Sequence, residues 1–224
     1  MDALEFARRV GIESPLILER TPDSFIGWGI TGSYMYNLNI GSSDLDTLFL
    51  TEPNKKKPVS RTSPSVDFTV TPADSFVYQV GERAACPMVD VLHCNSFHWN
   101  TEHPYYPYVR SAAVPALKYL DNLRSLTTHV CHEAFKTPDK KEKKVRLGLR
   151  YAMMERRTLD TRVFRTEFSE EERSVLLDSM LPRVMCSRAQ DPEDLRSIIL
   201  ETVNKEYRAE VADRLGTQFN TGLN

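Results

Sequence analysis

The sequence predicts a mixed α/β (α+β) fold in two parts, and three observations predict it. Short runs rich in β-forming residues recur through the first hundred residues. Beyond residue 110 the apolar residues take up helical spacing and strand-like runs stop. The 224 residues are long enough to bury a real core, and 41% hydrophobic against 27% charged residues argues for a globular chain over a disordered one. The textures meet near CNSFHWNTEHPYYPY, which sets two domains at 1–108 and 109–224.

In chain order, DALEFARRV reads as a short helix leading into the strand FIGWGITGS. LDTLFLT is a second strand and DFTVTP a third, each short and β-rich. PADSFVYQVGERA reads as a helix beginning at Pro72, and MVDVLHC, after Pro87, as a fourth strand. Val114, Leu117, Leu120, Leu123 and Val130 then recur at spacings that mark one side of a long helix. VRLGLRYAMMERR continues as a helix. SEEERSVLLDSM opens on a capping box of Ser169 and Glu172. DPEDLRSIILETVNKEYRAEVADRL opens with Asp191 as cap and Pro192 in the first turn, and the QFNTGLN tail reads as frayed.

A formal charge of -2 provides no global basic field, so any nucleic acid would meet local patches such as NKKK at 54–57 or KKEKKVRLGLR at 140–150. No apolar run approaches the ~20 residues that cross a bilayer. The start MDALEFARRV lacks the apolar core of a signal peptide, and the four cysteines show no framework spacing. A cytoplasmic protein with free thiols and no membrane partner is expected.

Within GSYMYNLNIGSSDLDTLFL, period-two alternation places Asp44 and Asp46 on one strand face and Leu45 on the other. Two carboxylates so close repel unless one is protonated or a divalent cation lies between them, and hard oxygen ligands favour Mg²⁺ or Mn²⁺. An exposed strand end screened by water is the alternative. The turn TGS follows a β run, and backbone N–H groups opening a helix there would face an anion.

Gly32-Ser33, followed by Asp44 and Asp46 on the next strand, resembles the active-site signature of the DNA polymerase β nucleotidyltransferase superfamily. The stretch DFTVTPADSFVYQVGERAACPMVDVLHC and its helical sequel are similar in layout to small stand-alone nucleotidyltransferases of bacteria and phages, including those predicted to act beside RNA-repair enzymes. The likeness covers about residues 25–95. It implies a polymerase β-like mixed sheet followed by a helical region, with a nucleoside triphosphate bound at Gly32 and Ser33 and Mg²⁺ on the aspartates. It also implies a third carboxylate on a neighbouring strand. Asp90, between Val89 and Val91, is preferred for it, and Asp67 is the alternative.

An Arg frequent in the family soon after Gly-Ser is absent, and Tyr34 and Tyr36 stand there. The triphosphate's counter-charge is therefore sought at Lys55 to Lys57, or at Lys143, Arg146 and Arg150, of which Arg146 and Arg150 share a helix face. Ser42 and Ser43 are read as shaping the turn into the strand. The implied reaction moves a nucleoside monophosphate from the triphosphate to an acceptor hydroxyl on an RNA end, a protein or a small molecule, with release of pyrophosphate. Alternatives are a non-catalytic nucleotide- or RNA-binding protein that keeps the fold, and a toxin or antitoxin component that modifies a partner protein.

Two further clusters have competing readings. Cys86, His93, Cys94, His98 and His103 could be drawn as a zinc site, though their spacing fits no usual finger and packing explains them as well. Trp99, Tyr105, Tyr106 and Tyr108 could stack on bases, or could pack a proline-stiffened loop. His129 and His132 lie one turn apart on a helix without a metallopeptidase's Glu.

Overall fold

The computed structural model describes residues 1–41, 43–54, 57–63, 66–161 and 164–210, the last three of these by backbone alone. The expectations for Ser42, Lys55, Lys56 and the QFNTGLN tail lie outside the described residues. The chain divides into two compact units, one of Met1–Tyr119 with Arg165–Glu167 and one of Leu120–Phe164 with Phe168–Asn224.

The first unit is built on a five-stranded mixed sheet in the order β3-β4-β2-β1-β5. The strands are β1 (Phe25–Thr31), β2 (Asp46–Thr51), β3 (Val59–Thr62), β4 (Asp67–Pro72) and β5 (His98–Trp99). β2 runs antiparallel to β1 and parallel to β4, while β3 and β5 pair antiparallel at the two edges. The first three of the four strands expected from sequence are β1, β2 and β4. The edge strands β3 and β5 carry no sustained apolar alternation and become strands only through a partner.

Helix α1 (Ala3–Arg9) is capped by Asp2, whose side chain accepts from the backbone N–H of Leu4 and Glu5. Its apolar side and the single turn α2 (Pro15–Leu18) cover one sheet face, packing Phe6, Ile12 and Ile17 with Phe25, Phe49, Phe68 and Val70. Alternation sends the intervening residues of β2 and β4 to the opposite face. There α4 (Ala73–Gly81) packs on both strands, starting one residue after the expected Pro72, which ends β4 and is the helix N-cap. Gly27 and Gly29 allow β1 to lie against Phe97, since a Cβ at either would stand 2.6 or 2.8 Å from that ring.

MVDVLHC is not a strand. Residues Cys86–Leu92 form helix α5, with Pro87 in the first turn and Ala85 as an extended N-cap. A short run with Val at alternate positions imitates a buried strand, but here Cys86, Val89, Asp90, Val91 and Leu92 are all buried and Pro87 pre-sets helical φ. The first unit also contains α3 (Gly32–Met35) and α6 (Tyr106–Arg110).

The division between units falls within α7 (Ala116–Lys136). Its buried stripe is Tyr119, Leu120, Leu123, Thr127, Val130, Cys131 and Ala134, whereas Leu117 is 80% exposed. A repeat of three drifts off a 3.6-residue helix, so Leu117 falls outside the stripe that Leu120 and Leu123 begin.

The second unit packs α8 (Lys141–Thr161) on α11 (Pro192–Glu210), with α9 (Glu170–Ser174), a π-helical turn (Val175–Met180) and α10 (Leu181–Met185) between them in sequence. Gly148 brings α8 close to its neighbours, because a Cβ there would lie 3.0 Å from Ile199 and 3.3 Å from Val130. The Ser169–Glu172 capping box forms in both directions, and Asp191 accepts from the N–H of Asp194 at 2.8 Å. Among the described residues no helix is long and apolar enough to cross a membrane.

Candidate functional site

The site begins where β1 ends. Thr31 pairs with Asp46 across the antiparallel ladder, and the chain turns at once through Gly32 into α3. Gly32 has φ +63°, a left-handed value that costs a residue with a Cβ about 1–2 kcal/mol. A Cβ there would also overlap Asp46 Oδ2 and stand 2.9 Å from its Cγ. Glycine at 32 is thus required twice, by backbone conformation and by the carboxylate beside it. Ser33 follows, half-buried, with its carbonyl accepting from Leu38 N–H at 2.9 Å.

Asp46 opens β2, and its register partner on the parallel strand β4 is Asp67. Residues paired this way point to the same sheet face, so the two aspartates stand side by side at the start of two adjacent strands. Leu45 packs against the α1 core on the other face, and its carbonyl accepts from Asp67 N–H at 3.0 Å, extending the ladder one step before Asp46. Asp44 precedes Leu45 and is exposed, while Asp46 and Asp67 are half-buried. Ser43 closes the approaching turn in both directions, its Oγ accepting from Ile40 N–H at 2.8 Å and its own N–H donating to Ile40 O at 2.9 Å.

The register therefore brings Asp67, not Asp90, beside Asp46. Asp90 is on α5 and only 2% exposed. Tyr36 Oη donates to one of its carboxylate oxygens and Tyr119 Oη to the other, at 2.7 Å for Tyr119. The Thr166 hydroxyl donates to the Asp90 carbonyl at 2.7 Å. Burial first, then the negative charge of Asp90, pushes the Tyr119 phenol far above its ordinary range. Asp90 is a buried acid held by phenols. No sequence signal pointed to this triad, because its members are separated by more than fifty and almost thirty residues.

Lys143, Arg146 and Arg150 are in the second unit on α8, with Lys143 exposed and both arginines buried, and Lys57 is exposed in the first. The Cys and His residues disperse: Cys86 is inside α5, Cys94 Sγ lies 2.9 Å from Ser96 Oγ, and His103 Nδ1 accepts from Tyr105 N–H at 3.2 Å. Of the loop aromatics, Trp99 packs on Phe97 and Tyr106 at centroid distances of 4.8 and 6.0 Å, with Arg110 over its ring. Tyr105 and Tyr108 are exposed.

Among the described residues no three His, Cys, Asp or Glu side chains come together in a group that could hold a metal ion. The aspartates form an open row, which suits a cation that keeps most of its own water. Mg²⁺ does so, commonly taking one or two protein carboxylates and completing its shell with water and substrate phosphate. The oxygen donors of Asp46 and Asp67 suit such an ion. No protein-family model matches the chain, and no curated protein matches it.

Proposed function

We propose that the first unit is a Mg²⁺-dependent nucleotidyltransferase, moving a nucleoside monophosphate from a nucleoside triphosphate to an acceptor hydroxyl. The observation that carries this reading is the register match of Asp46 with Asp67 beside a left-handed Gly32 that a Cβ would close. Side-by-side carboxylates at two strand starts are unfavourable for stability alone, and they become useful where a cation and a polyphosphate meet.

Asp46 and Asp67 would hold the ion, with exposed Asp44 as an outer ligand. When bound, the ion supplies positive charge against the phosphate oxygens. The turn at Gly32 offers backbone N–H groups to phosphate, and the Ser33 hydroxyl offers a further donor. Asp67 would also accept the proton of the attacking hydroxyl. The oxygen–phosphorus bond forms at the α-phosphate as the bond to pyrophosphate breaks. Asp90 serves the site at one remove: Tyr36, which ends α3, is anchored through its hydroxyl to Asp90.

The test incubates the protein with each α-labelled ribonucleoside triphosphate, Mg²⁺ or Mn²⁺, total RNA and cell extract, beside Asp46→Asn and Asp67→Asn. Transfer by the parent and loss in both variants supports the reading and names donor and acceptor. Nucleotide binding without transfer by the parent would make the unit a non-catalytic binding module.

A further inference from the structure

Helix α3 is a single turn, Gly32–Met35, too short to persist without help from its surroundings. It also lies between two left-handed residues, Gly32 at φ +63° and Asn37 at φ +59°. Asparagine accepts that conformation better than most side chains, but it persists only where the neighbouring structure holds it. Met35 and Leu38 are buried, and their apolar contacts resist exposure without fixing how the turn is rotated. Hydrogen bonds fix that rotation. One runs within the turn, from Leu38 N–H to the Ser33 carbonyl at 2.9 Å, and another leaves it, from the Tyr36 hydroxyl to the Asp90 carboxylate.

Asp90 is a firm anchor. Its other carboxylate oxygen accepts from Tyr119 of α7 at 2.7 Å, and its carbonyl accepts from Thr166 at 2.7 Å. Tyr36 and Tyr119 are buried as deeply as Asp90, so water competes little for these bonds. The two phenols make the same kind of bond to the same carboxylate, yet only Tyr36 belongs to the segment that begins with Gly32 and Ser33. The margin in that segment is small. A Cβ on Gly32 would stand 2.9 Å from Asp46 Cγ, so any displacement of the turn is a displacement against Asp46.

We propose that Tyr36 and, through it, Asp90 are positioning residues for the nucleotide, holding the Gly32–Ser33 turn at the distance from Asp46 that the triphosphate needs. The inference rests on the nucleotidyl-transfer reading of that site. Neither residue touches the substrate: both are buried and act on the backbone between Gly32 and Asn37. The turn meets the phosphates in the ground state and the transition state alike, so loosening it weakens triphosphate binding more than it slows bond formation. Asp46 and Asp67 have the opposite weighting, because the charge they hold acts on the reacting phosphate itself.

The test compares Tyr36→Phe with Tyr119→Phe in the full chain. Each removes one phenol donor from Asp90, so a purely structural role predicts equal effects. Tyr36→Phe is expected to raise the KM for the nucleoside triphosphate about tenfold with kcat within about twofold of wild type. It should also speed amide hydrogen exchange at Asn37 and Leu38 about tenfold or more, while Tyr119→Phe leaves KM and that exchange near wild type. Asp90→Asn, whose amide can accept from one phenol and donate to the oxygen of the other, should keep KM within about threefold of wild type. A parent that neither binds nor transfers a nucleotide overturns the nucleotidyl-transfer reading and this proposal with it. A parent that transfers, with the two phenylalanine variants alike in KM and exchange, overturns the proposal alone. If either variant fails to fold, exchange in the wild type decides: Asn37 and Leu38 amides as slow as those of β1 support the tether, and amides as fast as exposed chain overturn it.

Discussion

Asp90 and the pair Asp46–Asp67 belong to the same unit, yet the fold treats them in opposite ways. Asp90 is withdrawn from water and receives one tyrosine hydroxyl on each carboxylate oxygen. Asp46 and Asp67 stay half-exposed in adjacent strand registers, with a glycine cleared of any side chain next to Asp46. Donors that satisfy an acid make it part of the structure. Acids placed together at two strand starts, next to a glycine turn, stay within reach of solvent and ligand.

Substitutions should separate the two. Asp46→Asn or Asp67→Asn is expected to lower nucleotidyl transfer about a thousandfold, the scale on which removal of a key electrostatic group acts, while the melting temperature holds or rises as repulsion is relieved. Radiolabel transfer and calorimetry on the same preparations check this, and a fall in stability equal to that of the Asp90 variants would erase the distinction.

Asp90→Ala should do the reverse, destabilising the fold by about 3 kcal/mol or more because two buried phenols lose their acceptor. Urea unfolding followed by fluorescence measures it. Tyr119→Phe should cost about 1–2 kcal/mol and change the alkaline limb of stability. The Tyr119 phenol is pushed up in the folded state, by burial first and then by Asp90, so the native chain keeps that proton longer than the unfolded one. Its contribution is whole below the unfolded value of about 10 and is lost as pH climbs toward the folded value. The wild type should therefore lose stability above that pH more steeply than Tyr119→Phe.

Gly32→Ala should cost about 1–2 kcal/mol through the left-handed backbone and displace the Asp46 carboxylate, lowering activity more than stability alone explains. The smallest effect is a control in the second unit. Ser169→Ala removes one half of a formed capping box and should cost about 1 kcal/mol with no effect on transfer.

Local features were legible in the sequence wherever neighbours in the chain make the structure. The strands at FIGWGIT and DTLFLT, the helix after Pro72, the Ser169 box and the Asp191 cap each depend on residues within one turn or one strand. Asp44, Asp46, Gly32 and Ser33 could be singled out for the same reason, since a β run, a turn and an alternating run lie within twenty residues. The segment around Asp90 could not be placed this way. Val-Asp-Val satisfies a strand and a short buried helix equally, and only the absence of a pairing partner and the helical φ set by Pro87 decide between them.

What the sequence determined by itself is the local order of the candidate site, a glycine turn followed by Asp44 and then by Asp46 at the start of the next strand, because those residues lie close along the chain. Which third aspartate stands beside them was decided by tertiary structure alone. Asp67 is the register partner of Asp46 in the parallel pairing of β2 and β4, whereas Asp90 is buried in α5 with hydroxyls from Tyr36 and Tyr119 on its carboxylate. Register and burial are properties of the assembled sheet and core, and no stretch of chain contains them before its partners are in place.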